Sequence, residues 1–377
     1  MCFVHGLADG HYLINEDFLK PEDVVDVHCT CSQTTGHTRR NALRRGVLGA
    51  GAAIVGGSVL GKAALGPSTA DAAGPTSGDR VVMLGVNGGP VLSPAHAQSS
   101  LALHVTGKND TTYLVDCGYE AARQMVIAPG LPFKELRHVF ITHHHSDHTS
   151  GYAPLALHGI FGNAGAGPFR RLDIWGPSPV VQMQRDLTNM YALDIKSRVK
   201  GAAPDLRKLL HSHQQRLPKR GVRKVMEDPN VVVHSTLVNH GSDMPGACAY
   251  RFTIKKTGRA IVFSGDTAPT KNLIDLAQGA DTLVHECISI PGLDVFLQSV
   301  DPSQRAARRK EIVGIHTDVF EVPAVAKAAN VKRLVLNHYA PAFFPPSRFL
   351  ADAKTGAAKV GFSGEILAPT EFDSFAL

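Results

Sequence analysis

The densest chemistry in the sequence lies in one short run, Thr142-His143-His144-His145-Ser146-Asp147-His148. An apolar stretch, Val139-Phe140-Ile141, leads into it, and four potential ligands follow in the pattern H-x-H-x-D-H. A loop leaving a strand end fans successive side chains in different directions. His143 and His145 can then serve one metal ion while Asp147 and His148 serve another. Imidazole and carboxylate donors suit zinc, and three or four protein ligands with an open position make a catalytic site. His144 is out of phase and is expected to point away. A surface run of histidines is the bland alternative, and the Asp in register behind an apolar strand argues against it.

Such a loop needs a scaffold, and the flanking sequence supplies alternating strands and helices. Apolar runs at 81–86, 100–105, 112–116, 139–142 and 172–176 read as strands bounded by Gly, Pro and Asn-Asp turns, with a helical stretch at 180–191. Paired β runs follow at 231–238, 249–254 and 260–263, then a helix near 273–277 and a strand at 282–284. The last βα pieces fall at 322–329 and 333–336, with a β tail near 360–367. Strands mixed with helices throughout, without a long repeat, predict a layered α/β protein. The basic stretch 196–224 holds a single acid, Asp205. Pro204, Leu206, Leu209, Leu210 and His213 predict a short amphipathic helix there. It reads as a solvated cover or an anion-gathering lid, and it has no aromatic residue on which bases could stack.

Composition narrows the class. The 377 residues are 44% hydrophobic and 19% charged, which excludes a disordered chain. The net charge of +6 suits an anionic substrate but is too weak to imply nucleic acid by itself. Cys2, Cys29 and Cys31 lie ahead of an expected cleavage site, and Cys117, Cys248 and Cys287 are too widely spaced for a disulfide framework.

Residues 36–72 have the order of an export signal. Arg39-Arg40 and Arg44-Arg45 precede a Gly- and Ala-rich apolar region, and Ala70-Asp71-Ala72 ends it with small residues. The paired arginines point to the twin-arginine export machinery and a periplasmic or secreted destination, with a cytoplasmic one if the segment is no signal. Residues 1–35 form an N-terminal extension of no assigned role, and 73–377 form the hydrolase domain.

The H-x-H-x-D-H loop resembles that of the metallo-β-lactamase superfamily, and other segments resemble its ribonuclease Z and zinc arylsulfatase branch. Val238-Asn239-His240-Gly241, leading to Cys248-Ala249-Tyr250-Arg251-Phe252, is similar to that branch's third motif. Ser264-Gly265-Asp266-Thr267 matches its S-G-D-T motif, and Leu336-Asn337-His338-Tyr339 its last one. The resemblance implies an αββα sandwich over about residues 80–370, holding two Zn2+ ions, with Mn2+ or Fe2+ as substitutes. The ligands it implies are His143, His145, Asp147, His148, His240, Asp266 and His338, with Asp266 bridging the two. Leu283-Val284-His285-Glu286-Cys287 and Gly314-Ile315-His316-Thr317 resemble two further segments of the branch. They make His285 a candidate supporting residue and His316 a candidate proton donor, with Asp147 also orienting the nucleophile.

The implied reaction is hydrolysis by a hydroxide bridging the metals. The segments around Ser150-Gly151-Tyr152, Trp175-Gly176-Pro177 and His316-Thr317-Asp318-Val319 look closer to the arylsulfatase-like members. The expectation is therefore an exported hydrolase of small anionic sulfate or phosphate esters. The alternatives are a ribonuclease Z-like tRNA 3′-end endonuclease or phosphodiesterase, and a lactone or β-lactam hydrolase. A non-catalytic metal-binding member would be expected to lose ligands, whereas all seven are present. Nucleic acid is not favoured as a partner, and a homo-oligomer is compatible with the sequence.

Overall fold

The computed structural model describes residues 74–162 and 168–377. The segments read above as an N-terminal extension (1–35) and an export signal (36–72) lie outside the described residues. Within the described residues, fourteen strands form two sheets. They are β1 Arg80–Gly85, β2 Ser100–Val105, β3 Thr111–Val115, β4 Leu136–Phe140, β5 Leu172–Gly176, β6 Leu210–Gln214 and β7 Arg223–Glu227. Then come β8 Val231–Leu237, β9 Cys248–Ile254, β10 Ala260–Phe263, β11 Thr282–Ile288, β12 Arg333–Ala340, β13 Glu365–Leu367 and β14 Ser374–Ala376. The orders are β14-β1-β2-β3-β4-β5-β6 and β13-β12-β11-β10-β9-β8-β7.

Both faces of the inner strands are covered, which is why they read as unbroken apolar runs rather than alternating ones. All of β1 is buried: Val81 and Met83 enter the core between the sheets, while Val82 and Leu84 face a second core under helices. The inter-sheet core is knit by edge-to-face rings. Phe140 meets Phe252 at 5.0 Å and 80°, and Phe252 meets Phe263 at 5.7 Å and 90°. Helices Ala121–Ile127, Tyr152–Gly159 and Val180–Met190 bury side chains in the outer core of the first sheet. Helices Lys271–Ala277, Val322–Ala328 and Pro346–Val360 cover the second. The layers run α, β, β, α, the architecture that the resemblance implies.

Topology locates the chemistry. Strands β3 to β6 are mutually parallel, as are β10 to β13. Each parallel set therefore delivers its loops to one edge, where open α/β sheets bind ligands. The H-x-H-x-D-H loop follows β4, and Ser264-Gly265-Asp266 follows β10.

Several boundaries depart from the sequence expectation. Instead of an amphipathic helix over 204–213 there is one turn, Leu206–Leu209, whose Asp205 cap accepts from the Arg207 N–H. The chain then extends as β6, because pairing with β5 offers its backbone a ladder that a short exposed helix lacks. The basic stretch thus supplies an edge strand to each sheet, β6 and the start of β7, and on β7 Arg223 and Lys224 discourage pairing with other chains. The expected β tail near 360–367 is the end of helix Pro346–Val360, closed by Gly361 at φ 69°, followed by short β13. Strands β11 and β12 run further than read, to Ile288 and Ala340, and so carry His285, Glu286 and His338 themselves. Cys117, Cys248 and Cys287 are buried free thiols. No helix among the described residues is long and apolar enough to cross a membrane.

Candidate metal centre

Two donor clusters share one carboxylate. His143, His145, His240 and Asp266 bring ligand atoms within 4.8 Å of one another, and so do Asp147, His148, Asp266 and His338. These are all seven residues that the resemblance implies. In the first cluster His145 Nδ1 lies 3.1 Å from His143 Nε2 and 3.0 Å from His240 Nε2. Asp266 Oδ2 is 3.7 Å from His143 Nε2 and 3.9 Å from His240 Nε2. In the second, the same Oδ2 is 3.4 Å from His148 Nε2 and 3.1 Å from His338 Nε2. Asp147 Oδ2 is 3.4 Å from His148 Nε2 and 3.3 Å from His338 Nε2.

The far side of each ring is held. Asp116, the residue after β3, accepts from His148 Nδ1 at 2.8 Å with Oδ2. It also accepts from the Thr142 hydroxyl at 2.9 Å and the Thr142 N–H at 2.8 Å. With its proton given to Asp116, the Thr142 oxygen accepts from His143 Nδ1 at 3.0 Å. His240 Nδ1 donates to the Ile315 carbonyl at 3.0 Å. These bonds fix the tautomer, so His143, His148 and His240 each turn an Nε2 lone pair inward.

That arrangement fits divalent cations and little else. His148 Nε2 and Asp266 Oδ1 are buried without a hydrogen-bond partner, an expensive state unless a ligand satisfies them. Burial drives His143 well below the usual imidazole range. Burial would lower His148 too, but the carboxylates of Asp266, Asp116 and Asp147 outweigh it and hold the ring well above that range. His338 is pushed up to about 10 in the same way, burial being opposed by Asp266 and Asp147. The buried carboxylates that favour these protons would equally favour divalent cations, which displace the protons and free the Nε2 lone pairs.

His316 ends helix Arg305–Ile315, and its Nδ1 lies 3.2 Å from Glu286 Oε1. The same oxygen accepts from the Thr267 N–H at 3.1 Å and the Thr317 N–H at 3.0 Å. Glu286, His316 and His338 form a third cluster of possible ligands. His285 belongs to none of the three; it is buried in β11 with Nδ1 donating to the Glu286 carbonyl at 2.7 Å. His144 points away as expected, its Nε2 3.0 Å from the Pro177 carbonyl.

Three contributors escaped the sequence reading. Asp116 follows β3 and Glu286 lies within β11; only Glu286 stood in a quoted motif, with no role of its own. The third is the Asn87-Gly88-Gly89 loop, where the Gly89 N–H donates to Asp147 Oδ2 at 2.9 Å. Beside this loop a cavity of about 610 Å³ opens, with His316 and His338 in its wall.

Residues 80–293 match the sequence model of a family described as anti-Pycsar protein Apyc1. A ribonuclease Z of Mycobacterium bovis (strain BCG / Pasteur 1173P2) is 29% identical over 291 residues, covering 76% of this chain and 94% of that protein. Among solved structures, the metallo-β-lactamase fold protein YhfI from Bacillus subtilis superposes with a TM-score of 0.55 at 19% identity, over 79% of this chain and 99% of its own. The short form of human tRNase Z (ELAC1) gives 0.52 at 18% identity, over 78% and 98%. The fold is that of the metallo-β-lactamase superfamily, and the relatives lie in its ribonuclease Z branch. They favour the ribonuclease Z-like alternative over the arylsulfatase-like expectation.

Proposed function

The chain belongs to the family described as anti-Pycsar protein Apyc1, and from that premise we propose that it is a phosphodiesterase working with two zinc ions. That it is a metal-dependent hydrolase of phosphodiester or ester bonds follows from its relatives and its donor clusters. The choice of phosphodiester is supported by the ribonuclease Z likeness over most of the chain. The observation that carries the two-metal assignment is the sharing of Asp266 by two otherwise separate donor sets.

His143, His145, His240 and Asp266 would hold one ion, and Asp147, His148, Asp266 and His338 the other. Bound there, such ions acidify water and neutralise charge on phosphoryl oxygens. The chain's own part is orientation and proton handling. Asp116, Thr142 and the Ile315 carbonyl lock the imidazoles, so no reorganisation is needed as charge develops. Burial lowers the His316 imidazole, but the Glu286 carboxylate outweighs it and keeps the ring protonated to higher pH than usual. With Nδ1 directed at Glu286, Nε2 is the atom that delivers a proton to the departing oxygen. The export signal over 36–72 remains part of this proposal.

Zinc-loaded full chain would be assayed on bis(p-nitrophenyl) phosphate, p-nitrophenyl sulfate and a precursor tRNA, each with and without chelator. Chelator-sensitive diester turnover well above the sulfate rate is the expected result. Sulfate turnover exceeding it would return the assignment to the arylsulfatase-like branch.

A further inference from the structure

The cavity beside the metal clusters is a poor match for a nucleic-acid chain. Its volume of about 610 Å³ is that of a small-molecule pocket. Val91, Leu92, Phe296, Ile312, Phe343 and Phe344 make up much of its wall, and no Lys, Arg, Asp or Glu lines it. A polynucleotide site needs cations along the backbone track.

The polar side chains in the wall are few, and away from the metal clusters each already makes one internal bond. Asn87 Nδ2 donates to the Val91 carbonyl at 2.8 Å. Ser93 Oγ accepts from the N–H groups of Ala95 and His96, both at 3.2 Å. His96 Nδ1 is 2.9 Å from Glu371 Oε2. Three polar side chains, each with one atom already bonded, are few beside the apolar groups of the wall. At the other end stand His316 and His338, members of the ionic clusters. The pocket is therefore amphipathic along its length, with charge at one end and hydrocarbon at the other.

The hydrocarbon end is also exposed. Leu92 is 63% and Phe343 54% accessible, and the Phe343 and Phe344 rings meet at 4.8 Å and 61°. Large apolar groups converging on a site from several segments gain from covering by an apolar ligand. Edge-to-face rings offer an aryl group both a face and an edge.

We propose that this cavity takes an uncharged aryl or branched-alkyl ester group of a small phosphodiester, the phosphoryl end lying against His316 and His338. The inference rests on the phosphodiesterase assignment for its chemistry but not for its pocket. In the reaction, the oxygen of water bonds to phosphorus, the bond from phosphorus to the leaving oxygen breaks, and that oxygen takes up a proton. The apolar group selects the substrate.

Two measurements test it. The first is calorimetric binding of methyl methylphosphonate and 1-naphthyl methylphosphonate to the zinc-loaded full chain, with 1-naphthol fluorescence followed so that any turnover is subtracted. The naphthyl ester should bind at least about tenfold tighter, a difference of about 1.4 kcal/mol. Leu92→Ser with Phe343→Ser should erase most of that advantage. Because both side chains are largely exposed, thermal melting should show the variant folded, and Leu92→Ser alone serves if it is not. Equal binding of the two esters, or an advantage that survives the substitutions, would overturn the proposal. The second compares kcat/KM for methyl, phenyl and thymidine-5′ esters of p-nitrophenyl phosphate, which share a leaving group. The phenyl ester should exceed both others, and a thymidine ester that wins would also overturn the proposal. Selective naphthyl binding with no turnover of any diester would sustain the pocket and sink the phosphodiesterase assignment instead.

Discussion

Asp116 touches no candidate metal position, yet two of the rings that face one depend on it. It receives the His148 Nδ1 proton directly, and through Thr142 it sets the tautomer of His143. Carboxylates behind ligating histidines commonly change metal affinity by about 10–100-fold. Asp116→Ala should raise the zinc dissociation constant by roughly that factor, measured by competition with a chromophoric chelator. Affinity equal to the parent would mean that packing alone orients His148. His316 acts on the other side of the reaction. His316→Gln should lower kcat by roughly 10²–10⁴ with an alkyl leaving group and far less with p-nitrophenolate, at unchanged zinc content. A uniform loss across leaving groups would remove it as proton donor. At this scale the sequence was unevenly legible. Four ligands lie within six residues on one loop, a density that chance rarely supplies. His240, Asp266 and His338 became visible only through family resemblance. Asp116 stayed hidden because its partners are 26 and 32 residues downstream, and nothing in Val115-Asp116-Cys117 marks it as other than the end of a strand.

The clusters hold only if elements from the two sheets meet in register. Gly88 shows how tight the fit is. A Cβ there would lie 2.7 Å from both the ring Nδ1 and the carbonyl oxygen of His338. The Gly88 N–H donates to the Tyr339 carbonyl and the Tyr339 N–H to Val86, so the loop cannot drift from β12 freely. Gly88→Ala should therefore displace His338, itself at φ 53°, and weaken one of the two zinc ions by about tenfold or more. Chelator titration should turn biphasic; a single unchanged transition would show that the loop yields instead. A second test at this scale concerns β2. His104 is buried, and burial followed by the Arg80 charge pulls its imidazole down to about 4 from an ordinary 6.5. The folded state then binds the proton less readily than the unfolded one, so stability present above pH 6.5 is lost as the pH falls towards 4. His104→Gln should flatten that part of the urea-midpoint profile in chelated protein, and a parallel profile would count against it. Strands with both faces covered were easy to read, since burial demands apolar runs. The 204–213 segment misled because its leucines fit a helix locally, while the decisive partner, β5, lies 38 residues earlier. Helix Pro346–Val360 went unread for a similar reason. Gly356 interrupts its pattern, and that glycine is required because a Cβ would meet the Phe320 carbonyl oxygen at 2.1 Å.

At the scale of the whole molecule the question is where the centre works. The described residues, 74–162 and 168–377, form one compact unit that contains every cluster described above, and the arginine-rich segment precedes it in sequence. Compartment and substrate constrain each other. A chain sent out of the cytoplasm does not meet precursor tRNA, whereas small diesters with apolar ester groups can be met on either side of a membrane. The two proposals, export and an apolar pocket, thus favour the same substrate class from unrelated observations. They can be separated. Residues 1–73 fused ahead of a reporter that is active only after export should carry it out of a bacterial cytoplasm. Arg39→Lys together with Arg40→Lys should abolish this, because a twin-arginine signal is recognised through its arginine pair rather than through its charge. Export that survives the exchange would point to a general secretory route. No export from either fusion would put the enzyme back beside cytoplasmic nucleic acids. The substrate argument would then rest on the pocket alone, where the lack of any lining Lys or Arg still weighs against a polynucleotide.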